Sequence, residues 1–145
     1  LEQLAPGKSS KKFPEYRPKP IQLSIIPKVS LRHTYRVSNE QIEHILRRIS
    51  SERLCGREEV HDYLHRQLRR NCRPSTIRSS GATILLFLKF FKRSDGEDLA
   101  TIGREHISAF VEHEQDRGMA PVSVDGRLKG LYAFLSFLVD QFFNF

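Results

Sequence analysis

The chain has 145 residues, an apolar content of 39%, no Trp and a formal net charge of +7. This length favours a single hydrophobic core and one domain. No run of about 18 apolar residues occurs, which argues against a membrane span, and no apolar signal-peptide core stands near the start. Two cysteines, Cys55 and Cys72, are too few for a disulfide framework, so we expect reduced thiols in a cytoplasmic protein.

The charge is unevenly distributed. Residues 1–36 carry eight Lys/Arg against two Asp/Glu, and residues 58–93 carry eight against three. Residues 94–145 reverse the balance, with four Lys/Arg against nine Asp/Glu. A basic half beside an acidic half predicts that one face meets a polyanion and another face meets something else.

The N-terminal quarter is predicted to be an extended, basic, Pro-rich arm. Residues 1–36 hold five of the seven prolines, which disfavour helix and central strand. The arm either serves as a solubilising leader or follows DNA phosphates, and its Ile21–Ile26 run could pack on the domain. A helical domain is expected over residues 37–145, and its first helix is predicted to start at a capping box, Ser38 to Gln41.

The next two helices carry the basic side chains. A helix from Glu58 to about Asn71 ends in Arg66, Arg69 and Arg70. The following stretch, Arg73–Phe91, enters a helix through Pro74, with Ser75 or Thr76 as candidate caps. It has a core face at helical spacing, namely Ile77, Ile84, Phe87, Leu88 and Phe91. Its first turns combine hydroxyls with arginines and contain no acid, a composition that suits phosphate.

The C-terminal part is predicted to contain two more helices. One runs from Arg104 to Arg117, ends at Gly118, and has acidic residues on its outer face, namely Glu105, Glu112, Glu114 and Asp116. The other opens at Ala120-Pro121-Val122-Ser123 and continues with apolar residues at helical spacing.

Three segments together resemble a known family. They are Arg73-Pro74-Ser75-Thr76, the stretch Leu99 to Phe110 with Ile102 and Ile107, and Ala120-Pro121-Val122-Ser123. Their order and spacing are similar to the N-terminal SAM-like core-binding domain of the tyrosine recombinases, the phage integrases and Xer-type enzymes, over about residues 58–142. The resemblance implies an all-α fold, a compact four-helix SAM-like orthogonal bundle, here with an extra N-terminal helix and the basic arm.

The resemblance also implies a function. In this family the domain closes over one side of a core recombination half-site, and its second and fourth helices face the major groove. Carried onto this chain, the DNA-binding residues would be Arg73, Ser75, Thr76, Arg78, Ser79, Thr83, Ser123, Arg127 and Lys129. Arg78 and Arg127 are the candidates for base-edge contacts. About four to six phosphate contacts would give a salt slope, the slope of the logarithm of the DNA-binding constant against the logarithm of the salt concentration, of about −4 to −5.

No catalytic role is expected for this chain itself. In the family, the attacking tyrosine and its Arg and His cluster belong to a separate C-terminal domain, which we expect to be missing here because the chain stops at Phe145. Expected partners are therefore double-stranded DNA, that catalytic domain and other protomers of a synapse, in a prokaryotic, phage or mobile-element setting. No cofactor is predicted. His61 and His65 have zinc-protease spacing, but the acid between them is Asp62 and no third ligand follows, so no metal is predicted.

Two other functions remain open from the sequence. An α-helical protein-interaction module would use the acidic helix and the apolar Phe142–Phe145 end, and would not bind DNA. A helix-turn-helix regulator is disfavoured, because the helix after Pro74 becomes apolar within two turns.

Overall fold

The computed structural model describes the backbone of residues 28–143 and the side chains of residues 33–142, and this part is helical without any strand. The five α-helices are α1 (Lys28–Ser51), α2 (Arg57–Arg69), α3 (Pro74–Arg93), α4 (Arg104–Asp116) and α5 (Pro121–Phe143), with a 3₁₀ turn at Leu99–Thr101. The predicted all-α class is confirmed. Helices α2 to α5 correspond to the four expected helices, and α1 is the additional N-terminal one.

Helix α3 is the centre of the bundle, because each of the other four helices packs against it. Pro74 lies in its first turn, where the missing N–H would have no helical partner and the fixed φ favours a helix. The predicted core face is confirmed, since five apolar side chains are buried, namely Ile77, Ile84, Phe87, Leu88 and Phe91. This packing fixes the rotation of α3 and hence which of its polar residues face solvent.

Helix α1 begins at Lys28, well before the predicted start, so the capping box at Ser38 is wrong. Ser38 lies inside α1 and is only 1% exposed. Residues 28–36 contain neither Pro nor Gly, so no residue interrupts the helix there. That part of the predicted arm is therefore helical rather than extended. The rest of it, residues 1–27 with Ile21–Ile26, lies outside the described residues.

Helix α1 also belongs to the core. Four of its side chains are buried, namely Ile42, Ile45, Leu46 and Ile49. Gly81 of α3 permits the close approach of α1, because a Cβ at that position would overlap the side chain of Ile45. The two helices therefore pack closely at Gly81. The helical periodicity of α3 by itself gives no reason for a glycine at this position.

Helix α4 ends where the sequence predicted. Gly118 follows it in the left-handed region with φ of 81°, a conformation that glycine adopts without steric cost. The predicted acidic outer face is wrong at one residue. Glu114 is 1% exposed and accepts hydrogen bonds from two arginines, whereas Glu105, Glu112 and Asp116 are exposed. The buried carboxylate joins α4 to α5.

Candidate nucleic-acid interface

A shallow groove of about 280 Å³ lies between the N-terminal half of α3 and α5. Five hydroxyl side chains of α3 and two glycines of α5 line it; we call it the hydroxyl groove, and its residues are Ser75, Thr76, Ser79, Ser80, Thr83, Gly126 and Gly130. The hydroxyls follow helical spacing on the face of α3 that is turned toward α5. Four of the nine predicted DNA-binding residues are thus brought together, while Ser80 and both glycines were missed.

The hydroxyl groove has no charged side chain in its lining. The two glycines keep it open: a Cβ on Gly126 would meet no atom within 4 Å, and one on Gly130 would lie 3.8 Å from the Thr83 side chain. The Ser80 hydroxyl is bound to α2, because Nε2 of Gln67 donates a hydrogen bond to its Oγ over 3.0 Å. An arrangement of short hydroxyls at a helix N-terminus can donate to phosphate oxygens.

The hydroxyls are not used as helix caps. Arg73 is the residue before the first turn, with φ of −65° and ψ of 150°, and no side chain caps α3. The amides of Thr76 and Ile77 instead bond to the Arg73 carbonyl, at 2.9 Å and 3.1 Å. The expected capping role of Ser75 and Thr76 is therefore wrong, and both side chains are exposed.

Arg78 projects from a different side of α3. It lines a larger groove of about 680 Å³ between α1 and α3, together with the α1 residues His44, Ile45 and Arg48. Arg73 and Arg78 are both exposed, and neither has an acidic partner among the described residues. Both guanidinium groups are therefore available to an external anion.

The three predicted residues of α5 differ from one another. Ser123 is half-buried in the first turn. Lys129 is 78% exposed and forms an ion pair with Asp125 at 2.9 Å, an interaction of little strength in water. Arg127 is 26% exposed and donates to the buried carboxylate of Glu114. Arg127 is thus engaged in a contact between α4 and α5.

The Glu114 cluster consists of one carboxylate and two guanidinium groups. Arg127 donates to one oxygen of Glu114, and Arg117 donates to the other over 2.6 Å. A buried carboxylate needs such partners, because removal from water strongly disfavours an isolated charge. No local sequence pattern indicates the contact between Arg127 and Glu114, since the two residues lie thirteen positions apart.

The rings of the paired histidines of α2, His61 and His65, are in contact at a tilt of 44°, with centroids 4.3 Å apart. Partial burial and then the neighbouring His61 lower the pKa of His65. Among the described residues, no group of three or more His, Cys, Asp or Glu is arranged to hold a metal ion. Within residues 28–143, no helix is long and apolar enough to cross a membrane.

A third groove, which is apolar and has a volume of about 590 Å³, runs along α5 beside the 3₁₀ turn and α4. Tyr132, Val139 and Phe142 contribute to it and are 51%, 54% and 38% exposed. Of these residues, Phe142 belongs to the apolar end that the sequence assigned to an interaction module, and Tyr132 and Val139 extend that apolar surface along α5. Phe145, the last residue of the predicted apolar end, lies outside the described residues.

Comparison with known proteins identifies the domain type. The family model for the phage integrase, N-terminal SAM-like domain, matches residues 60–141, which is more than half of the chain. No curated protein and no solved structure matches the chain significantly. The match confirms the resemblance that the sequence motifs indicated over about residues 58–142, and it connects the chain with site-specific recombination. The chain belongs to the phage integrase N-terminal SAM-like domain family.

Proposed function

We propose that this chain is the DNA-binding part of a site-specific tyrosine recombinase, and that it clamps a core recombination half-site through the major groove and the flanking phosphates. The observation that carries the proposal is the hydroxyl groove at the start of α3, which has no acidic residue in its lining. Exposed Arg73 stands at the same end of α3. Hydroxyls, helix N-termini and arginines are common phosphate ligands.

The nine residues named from the sequence then divide into three roles. Arg73, Arg78 and Lys129 would supply mobile positive charge, and Ser75, Thr76, Ser79, Thr83 and Ser123 would supply hydroxyl donors near the backbone of the DNA. Arg78 remains the candidate for a base-edge contact, since a guanidinium can bond the O6 and N7 atoms of guanine. Arg127 is reassigned to holding α5 in place, because its guanidinium already pairs with Glu114.

Cutting and rejoining of DNA would require the catalytic domain of the parent recombinase, through a phosphotyrosyl intermediate. We propose that the apolar groove of α5, with Tyr132, Val139 and Phe142 at its surface, contacts protein, either that catalytic domain or a neighbouring protomer. Exposed apolar patches of this kind commonly mark protein contacts. A protein-interaction module without DNA binding is the second candidate, and it rests on this surface alone.

The test is a fluorescence-anisotropy titration of a duplex of about 30 base pairs, roughly three helical turns, at several salt concentrations. The compared proteins are the unchanged chain and a variant with Arg73→Ala, Arg78→Ala and Lys129→Ala. We expect a log–log salt slope of about −4 for the unchanged chain, reduced by about 2 to 3 in the variant. The matched control is Arg104→Ala, which removes one exposed arginine at the start of α4.

Absence of binding at low salt, or equal slopes for the unchanged chain and the triple variant, would refute the DNA-binding proposal. The interaction module would then be favoured. A Tyr132→Ser, Val139→Ser variant tests the protein-contact role of the apolar groove, because it should weaken association with the protein that contacts this surface.

A further inference from the structure

A fourth cavity, of about 290 Å³, lies toward the C-terminal ends of α3 and α4, at the opposite end of α3 from the hydroxyl groove. Four basic side chains stand around an apolar floor of Leu86 and Phe110; we call it the cationic pocket, and its basic residues are Lys89, Arg93, His113 and Arg117. Two helices contribute two residues each. None of these side chains belongs to the predicted DNA-binding set, and the helical periodicity of α3 gives no reason for Arg93 to face α4.

The charge in the cationic pocket is in excess. Lys89, Arg93 and Arg117 are three permanent cations, and Glu114 is the one carboxylate in the lining, which leaves 3 − 1 = +2. Both Glu114 oxygens already accept hydrogen bonds, from Arg117 and from Arg127. The carboxylate is therefore neutralised from two sides and offers little repulsion to a second anion.

Arg93 is the least committed of the cations. Its Nε donates to the Lys89 carbonyl at 3.4 Å, a long contact within its own helix, and it has no acidic partner among the described residues. Lys89 is shared with Glu52, at 3.3 Å. Glu52 has a lowered pKa: its partial removal from water acts to raise the pKa, but Lys89 and Arg48 outweigh that effect.

His113 lines the same cavity from α4. Its Nδ1 atom is buried and has no hydrogen-bond partner, and it lies 3.7 Å from the nearest Glu114 oxygen, beyond hydrogen-bond reach. The ring is held in place by Phe90, with centroids 5.2 Å apart. The His113 ring thus lies beside the cavity, where its signals can report on an anion bound among the three cations.

From this geometry we propose that the cationic pocket is a second anion site, which binds a phosphate group. Guanidinium and ammonium groups form charge-assisted hydrogen bonds with phosphate oxygens, and guanidinium does so in a bidentate manner. The volume, equal to that of roughly ten liquid water molecules, accommodates a phosphate group. The phosphate is either a DNA phosphodiester outside the α3–α5 face or part of a separate phosphate compound.

The test uses the full chain labelled with ¹⁵N and titrated with inorganic tripolyphosphate. The signals to follow are the ring nitrogens of His113 and the Nε of Arg93. We expect both to shift on saturation, and the dissociation constant to rise about tenfold in Arg93→Gln, the loss expected for one hydrogen bond to a charged group. Arg104→Gln, which removes an exposed arginine outside the pocket, is the matched control and should bind as the unchanged chain does.

Failure of both signals to move would overturn the proposal, as would an equal weakening by Arg93→Gln and Arg104→Gln. A second titration with duplex DNA identifies the source of the phosphate. If DNA displaces tripolyphosphate and Arg93→Gln lowers the salt slope by about 1, the ligand is a DNA phosphate. If tripolyphosphate binds but DNA leaves the His113 signal unmoved, the ligand is a separate phosphate compound. These outcomes do not depend on the Arg73, Arg78 and Lys129 experiment.

Discussion

Glu114 of α4 and Arg127 of α5 form an ion pair in which the carboxylate is 1% exposed and the guanidinium 26% exposed. The contact joins the acidic helix to the helix that was expected to bear DNA contacts. A buried carboxylate held by two arginines is costly to disturb from either side, because each partner would be left without its counter-charge. The pair therefore links the orientation of α5 to the packing of α4.

Replacement of Glu114 by Gln should destabilise the domain by about 3 kcal/mol, since Arg117 and Arg127 would lose their charge-assisted hydrogen bonds to the buried carboxylate. Urea denaturation gives the free energy of unfolding. The control is Glu112→Gln, an exposed residue of the same helix, which should change stability by less than about 0.5 kcal/mol. Equal effects of the two substitutions would show that the buried cluster contributes nothing specific.

Arg127→Met and Lys129→Met should have opposite consequences. Arg127→Met should lower the free energy of unfolding by about 1–3 kcal/mol, because Glu114 retains only Arg117, and should leave the DNA salt slope unchanged. Lys129→Met should leave stability nearly unchanged, because its pair with Asp125 is exposed, and should reduce the slope by about 1. A reduced slope for Arg127→Met in a fully folded variant would restore Arg127 as a phosphate contact.

Gly81→Ala should destabilise the domain by about 1–3 kcal/mol, because the new Cβ would overlap the end of the buried Ile45 side chain and force that side chain out of its packed position. Combining it with Ile45→Val should recover part of the loss, which a double-mutant cycle in urea would measure. Gly126→Ala is the control. Its Cβ would enter open space, so the higher helix propensity of Ala should stabilise α5 by up to about 1 kcal/mol.

Removal of residues 1–57, which deletes α1, should prevent folding of the family segment. Four buried side chains of α1 would be lost, namely Ile42, Ile45, Leu46 and Ile49. At about 1.5–3 kcal/mol each, the loss is comparable with the whole stability of a typical small domain. Circular dichroism and proton NMR would show whether the segment 58–145 folds. A cooperatively unfolding segment with dispersed methyl signals would mean that α1 is dispensable.

Stability should fall as the solution becomes acidic, in part through His65. Its pKa is lowered in the folded protein, first by burial and then by His61, so the unfolded chain binds the proton more readily. This contribution is present above the unfolded pKa of about 6.5 and is lost as the pH falls through the folded pKa. Urea midpoints measured across this range should fall less steeply for His65→Gln. A matched substitution at the exposed His44 should leave the slope as it is.

The number, order and approximate limits of four helices followed from the sequence alone. Proline at the first turn of α3 and of α5, a glycine after α4 and apolar residues at helical spacing are local signals, and each acts through the backbone within a few residues. Reliance on local signals also explains why the predicted start of α1, at Ser38, is wrong. Ser38 has the local pattern of a cap, but it lies buried inside α1, and residues 28–36 contain no Pro or Gly that would end the helix before it.

Only the tertiary structure decided which polar residues share a surface. Ser80 joins the hydroxyl groove because α5 passes beside it, and Arg127 is turned inward because a carboxylate thirteen residues away lies within its reach. Periodicity places a residue on a face of its own helix but does not state what lies opposite that face. The opposing atoms belong to segments distant in sequence, and their position depends on how all five helices bury their apolar faces together.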